Sequence, residues 1–274
     1  MGNEIVVFLL GLPRSGTTMA TAIFDVNPEV GALFEPWNST KNHNLEPWTN
    51  FTDITNSAKQ RYGLDYSDKK ILLIKETAAH IGSLDWSAKT IENFKKNGID
   101  VRVVWLMRDL NHTYLSRVMA AREWWGHEQM KVEQQTFRDF VKFALAGFDA
   151  IKSIAEENKT LFLSYEYLVK NLSDSLDIAM KFIGTQRHEF QLEYEKHFKK
   201  HKAAGDVNVS NNPKQPDYKM VTDRDMEWNI VKDELLKSLA GEEYNKYFHV
   251  GAIVQRLRSL GPMSNATFYD SVGW

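Results

Sequence analysis

The 274-residue sequence contains no cysteine. That one absence excludes disulfides, thiolate metal sites and cysteine nucleophiles together, and it suits a reducing compartment. An excess of positive charge is missing too. The chain carries 34 Lys and Arg against 36 Asp and Glu, a formal net charge of −2, so the basic surface of a general nucleic-acid binder is not available. Long apolar runs are also absent. The stretch from Ile5 to Leu10 is far short of the roughly 20 residues that span a bilayer, and no basic leader precedes it. A cytoplasmic address without a membrane span is therefore expected. What remains is an ordinary globular composition, 43% hydrophobic and 26% charged, enough to bury a core. No repeat or linker interrupts it, and one domain over residues 1–274 is expected.

Short β-rich runs alternate with helical patterns. The pattern predicts strands at Glu4–Leu10, Val30–Phe34, Lys70–Ile74, Val101–Met107 and Thr160–Ser164. Helices are predicted near Thr17–Val26, Ser83–Asn97, Leu110–Arg122 and Phe137–Asn158. Several strands are apolar on both faces, as a sheet covered by helices requires. The expectation is an α/β fold with a mainly parallel sheet of P-loop type and flanking helices. The last third, from about Leu172, reads as mostly helical. It is broken by a loop at Ala203–Lys219 that holds Gly205, Pro213 and Pro216.

The first strand runs into Gly11-Leu12-Pro13-Arg14-Ser15-Gly16-Thr17-Thr18. Two glycines permit a tight loop, and the helix beginning at Thr17 would aim free N–H groups and the positive end of its dipole at an anion. A Walker loop would end in Gly-Lys-Ser/Thr. Here Gly16 is followed by Thr17, and the cation is Arg14, two residues before Gly16. A second constellation lies in VVWLMRDLNHTYLSR. Arg108 ends a buried strand, Asp109 is a natural N-cap, and Ser116 lies about two turns along the next helix, where it and Arg108 could grip one phosphate. Taken alone, Asp109 could be a Walker-B acid and Arg108 an ordinary strand-end cation.

Together these stretches resemble the sulfotransferases that use 3′-phosphoadenosine 5′-phosphosulfate (PAPS). The loop Leu12–Thr18 looks like their 5′-phosphosulfate loop, which implies donor contacts by Arg14, Ser15, Gly16, Thr17 and Thr18. The strand–Arg108-Asp109–helix–Ser116 pattern resembles their 3′-phosphate motif, with Leu110 where proline is common. The segment LFLSYEYLVKNLSDSLDIAMKFIG resembles their Tyr-Glu-x-Leu turn and following helix. The resemblance implies an adenine contact for Tyr165, which could instead be a buried core tyrosine. A late loop closes over the nucleotide in relatives, and Ser210 and Lys214 would be its counterparts here. PAPS as co-substrate, with no metal, is the cofactor requirement the resemblance implies, since a sulfuryl group needs no bridging Mg²⁺. Arg14 would then neutralise the leaving phosphate.

A hydroxyl acceptor needs a base placed in line with the leaving group. Glu35 in GALFEPWN ends the second strand, and strand ends in open α/β sheets face the ligand crevice. Carbohydrate sulfotransferases place a glutamate base at the matching point. The histidine-base cytosolic type differs: after its strand lysine, matched here by Lys75, the histidine position is held by Thr77. His80 is a competing base three residues further on, and Glu76 is a hydrogen-bonding neighbour. Lys75 would stabilise developing charge. The expected catalytic set is Glu35, Arg14 and Lys75.

Trp37, Trp48, Trp124 and Trp125 could form walls for a sugar or flat ring, or could be core. Nothing basic marks a polyanionic acceptor, so a small-molecule or carbohydrate hydroxyl is expected as partner, with no nucleic acid. Two other functions fit parts of the pattern. A P-loop kinase or NTPase would bind a Mg-nucleotide, which Thr17 after Gly16 opposes. A non-catalytic nucleotide-binding module would have no use for Glu35 and Lys75. Nothing in the sequence bears on oligomeric state.

Overall fold

Apolar side chains on both faces of IVVFLLG need cover from two sides. As β1 (Ile5–Gly11), this segment obtains it as the third strand of a six-stranded sheet. The computed structural model describes residues 4–37, 47–78, 81–110, 112–114, 116–117, 137–193 and 266–269. The other strands are β2 (Val30–Phe34), β3 (Ile71–Thr77), β4 (Asp100–Met107), β5 (Lys159–Ser164) and β6 (Ala266–Tyr269). Their order is β2-β3-β1-β4-β5-β6, and every pairing is parallel. The helices are α1 (Thr17–Asp25), α2 (Phe51–Tyr62), α3 (Ile81–Lys96), α4 (Phe137–Glu156), α5 (Tyr165–Lys170) and α6 (Leu172–Ile183).

Strand alternation divides the core into two layers. Val6, Phe8 and Leu10 join Trp37, Phe94, Trp105 and Phe140 on one face, against α2, α3 and α4. Val7 and Leu9 join Ile23, Phe24, Leu176 and Ile183 on the other, against α1 and α6. Each such buried side chain contributes about 1.5–3 kcal/mol, which is why the centre of this sheet tolerates almost no polar residue before the strand ends.

The expected α/β fold with a parallel sheet is the observed one, and the strands match the predicted segments to within a few residues. The largest difference among them is at β3, which continues past Ile74 through Lys75, Glu76 and Thr77. Two elements were not anticipated. One is α2, which has an Asn50–Asp53 capping box at its start and Gly63 in the left-handed conformation at its end. The other is β6, an edge strand inside the third of the chain expected to be mostly helical. That expectation does hold for α6 and the 3-10 turn Glu189–Glu193. The loop predicted at 203–219 lies outside the described residues.

From β1 the chain builds β2 and β3 on one side, then crosses to build β4 and β5 on the other. Ligands of open α/β sheets gather at the carboxyl edge of such a reversal. The register aligns the strand ends there: Gly11 lies beside Thr77 and Leu106, Phe34 beside Lys75, and Met107 beside Ser164. The residues that follow these strands, Leu12 onward, Glu35, Arg108 and Tyr165, therefore share one edge. No described helix is long and apolar enough to cross a membrane.

Candidate active site

The loop after β1 is closed by its own serine. Ser15 donates its backbone N–H to the Leu12 carbonyl at 3.1 Å and its hydroxyl to the same oxygen at 2.7 Å. The turn places Arg14 at φ 72°, a left-handed conformation that a residue with a Cβ seldom adopts. Gly16 follows at φ 90° as the N-cap of α1, and no side chain caps that helix. A glycine is required there twice over, because a Cβ at Gly16 would lie 2.2 Å from the Tyr165 ring. The first turn of α1 also lacks an acidic residue. Its N–H groups and dipole are thus left to an anion.

The second constellation locks onto the first. Arg108 donates from Nη1 to the Arg14 carbonyl at 3.1 Å, and Arg14 donates from Nε to Ser116 Oγ at 3.2 Å. The Arg108 guanidinium also lies 4.6 Å from the centre of the Tyr165 ring, an attraction worth about 0.5–2 kcal/mol. Its Nε is buried and has no hydrogen-bond partner. Asp109 caps the next helical turn by accepting the His112 N–H at 3.1 Å. Arg14, Arg108, Ser116, Tyr165 and the start of α1 therefore converge, although they come from distant parts of the chain.

The third part is made by the ends of β2 and β3. Glu35 is the first residue beyond β2 and also sits at positive φ, 46°. Its backbone N–H donates to the Lys75 carbonyl at 2.8 Å. The Glu35 carboxylate forms an ion pair with Lys75 and accepts the Thr77 hydroxyl at 3.2 Å. Lys75 is nearly inaccessible, at 5% side-chain exposure, while Glu35 retains 32%. The cation is thus held inside and the carboxylate stays partly open to solvent. An ammonium in so dry a position is tolerated because it is paired.

A family model described as "Sulfotransferase domain" matches residues 4–249 of the chain. The chain belongs to the sulfotransferase family. No curated protein sequence matches it. Solved structures similar to it include a sulfotransferase domain from the curacin biosynthetic pathway, at 12% identity over 71% of this chain and 78% of that one, TM-score 0.49. Another is mouse sulfotransferase SULT7A1 complexed with PAP, at 14% identity over 95% and 90%, TM-score 0.46. A third is the sulfotransferase domain of the Synechococcus PCC 7002 olefin synthase, at 14% identity over 71% and 78%, TM-score 0.47.

Within this sulfotransferase the anticipated residues occupy different positions. Arg14, Gly16 and Thr18 are half-buried at the loop surface, whereas Ser15 and Thr17 are buried. Both hydrogens of Ser15 go to Leu12, so its visible work is to build the loop. Tyr165 is 8% exposed and packed between Gly16 and Arg108. Trp37 and Trp48 are core residues, their rings 4.9 Å apart and Trp37 stacked on Phe8. They are not walls of the crevice. His80, Ser210, Lys214, Trp124 and Trp125 lie outside the described residues.

Sequence reasoning missed Glu166. This buried carboxylate accepts the Asp109 N–H at 3.0 Å with one oxygen and the Ser164 hydroxyl at 3.0 Å with the other. It braces the turn that carries Arg108, and its signal was present in the Tyr165-Glu166 pair of the third motif. The contact of Thr77 with Glu35 was missed as well, since only the histidine absent from that position drew notice.

Proposed function

We propose that this sulfotransferase moves a sulfuryl group from PAPS to a hydroxyl of a small-molecule or carbohydrate acceptor, by direct in-line attack. The observation that supports this most is the convergence of Arg14, Arg108 and Ser116 on the uncapped start of α1. The residues present suit such a donor: two guanidiniums, a hydroxyl, helix N–H groups and a buried Arg108 Nε with no protein partner. Arg108 and Ser116 would bind the 3′-phosphate, and Arg14, Gly16, Thr17 and Thr18 the 5′ side. Tyr165 would lie at the adenine. When bound, the donor supplies an activated sulfuryl group on a good phosphate leaving group.

In this reading Glu35 takes the proton from the acceptor hydroxyl as its oxygen attacks. Its ion pair with Lys75 orients the carboxylate. Once Glu35 is protonated, the Lys75 ammonium is released to neutralise charge at the reacting centre. Arg14 meets the charge that grows on the leaving phosphate. No protein nucleophile is needed. The absence of cysteine accords with the cytoplasmic address we propose, and residues 1–274 are read as one domain.

Calorimetry separates this reading from Mg-nucleotide chemistry. Titration with 3′-phosphoadenosine 5′-phosphate (PAP) should show binding that is indifferent to Mg²⁺ and tighter than that of ATP. Tighter, Mg²⁺-dependent ATP binding would reject the assignment of the donor.

A further inference from the structure

The last three residues of β3 act on opposite faces of the sheet. Lys75 and Thr77 reach the Glu35 carboxylate. Glu76, by strand alternation, lies on the other face with Leu72 and Ile74. There it is wholly buried. One carboxyl oxygen accepts the Trp37 backbone N–H at 3.0 Å, and the other is buried with no hydrogen-bond partner. A buried carboxyl with half its capacity unused is costly, and packing alone would be better served by an apolar residue.

What Glu76 holds is the turn that carries Glu35. That turn contains a left-handed, non-glycine residue, a conformation that persists only where its surroundings enforce it. The Glu35 N–H is tied to the Lys75 carbonyl, and the Trp37 N–H, two residues on, is tied to Glu76. The Trp37 ring is itself fixed against Phe8 and Trp48. We propose that Glu76 is a positioning residue that acts through the Trp37 backbone, keeping the Glu35 carboxylate on Lys75 and Thr77. This rests on the reading of Glu35 as the base.

Burial pushes the Glu76 carboxyl up to about 8, aided by the Glu35 charge and opposed by the Trp37 and Thr77 backbone N–H groups and the Lys75 ammonium. Among the described residues, Glu35 beyond β2 and Lys75 on β3 are the charged groups that bear on it, and its register partner on β1 is the apolar Leu10. Burial thus favours the neutral acid at Glu76. It accepts a hydrogen bond without adding a second negative charge beside the base.

The test combines residue-resolved amide exchange with turnover for Glu76→Leu, Glu76→Gln and Glu35→Gln. Glu76→Leu is expected to speed exchange of the Trp37 amide by about tenfold or more. It should also lower kcat by about ten- to a hundredfold, as a small misplacement of a catalytic group does, with the KM for PAPS little changed. Glu76→Gln keeps an acceptor oxygen, so it should restore Trp37 protection and most of kcat. Unchanged Trp37 exchange or wild-type turnover in Glu76→Leu overturns the proposal. If Glu76→Leu does not fold, Glu76→Gln decides: loss of Trp37 protection although an acceptor oxygen is retained overturns it. Glu35→Gln separates the two readings. Full activity there rejects Glu35 as base, while exchange at Trp37 still judges whether Glu76 holds the turn.

Discussion

The end of β1 and the ends of β2 and β3 solve the same problem by different means. Each must hold a charged side chain at a carboxyl edge on a left-handed backbone, Arg14 at φ 72° and Glu35 at φ 46°. These are the two non-glycine residues with positive φ among those described. The loop after β1 is held locally: Ser15 closes it onto Leu12, and Gly16 begins the helix. Its long-range contacts, from Arg108 and to Ser116, are hydrogen bonds between groups that can also serve a ligand. The turn after β2 is held by another strand. Lys75, Glu76 and Thr77 each contact it, and all three are buried. The first site can be read as a continuous motif, and the second only once the strands are side by side. On our reading the first grips the donor and the second does the chemistry on the acceptor, so variants at the two should fail differently.

The largest difference is expected at the base. Glu35→Gln preserves shape and a hydrogen bond but cannot take a proton, so kcat should fall by about 10²–10⁴-fold, with PAP affinity nearly unchanged. Turnover and calorimetry on the same preparation check this. Arg14→Ala should follow, with a loss on the order of 10²-fold in kcat that exceeds its loss in donor binding, because the charge it meets grows as the bond breaks. Arg14→Lys should retain much of the rate. Normal turnover with lost binding would make Arg14 a plain phosphate anchor and erase part of the contrast.

Arg108→Ala sharpens the comparison from the donor side. A charge-assisted hydrogen bond is worth about 1.5–3 kcal/mol, so PAP should bind about ten- to a hundredfold more weakly. Adenosine 5′-phosphate, which lacks the 3′-phosphate, should bind almost as before. Equal losses for both would remove Arg108 from the 3′-phosphate site.

A last effect concerns stability rather than turnover. Glu76 titrates near the ordinary carboxyl value of 4.5 when unfolded and is pushed up to about 8 by burial in the fold. Its contribution is complete below about pH 4.5 and is lost as pH rises toward 8, since the unfolded chain releases the proton first. The slope is at most about 1.4 kcal/mol per pH unit. Glu76→Gln removes this dependence, so urea unfolding at pH 5.5 and 8 should show the variant gaining on the wild type as pH rises. Parallel behaviour of the two proteins would mean that Glu76 is ionised throughout.

The same contrast explains what could be read in advance. The parallel α/β fold and the Arg14 and Arg108 constellations were legible because their residues are contiguous and follow apolar strands. The end of β3 was not, since Lys75 and Glu76 look like residues that terminate a strand; only the contacts with Glu35 and Trp37 explain why they continue it. Glu166 was hidden for a similar reason, as its partners, Asp109 and Ser164, belong to different segments. The capping box at Asn50 and Asp53 was written in the sequence, but the weakly apolar helix behind it drew no notice. Trp37 illustrates the opposite limit. Its type suited a ring-binding wall and a core equally, and packing against Phe8 and Trp48 decided for the core.

The division between donor grip and acceptor chemistry is tested most directly by following a labelled sulfuryl group. PAPS labelled in sulfur is mixed with the wild type or Glu35→Gln and a hydroxyl acceptor, then quenched over time. The account predicts label passing straight to the acceptor in the wild type, one PAP released per ester, and almost no transfer by Glu35→Gln despite equal PAP binding. Label accumulating on the chain, or transfer by Glu35→Gln at the wild-type rate, would contradict it.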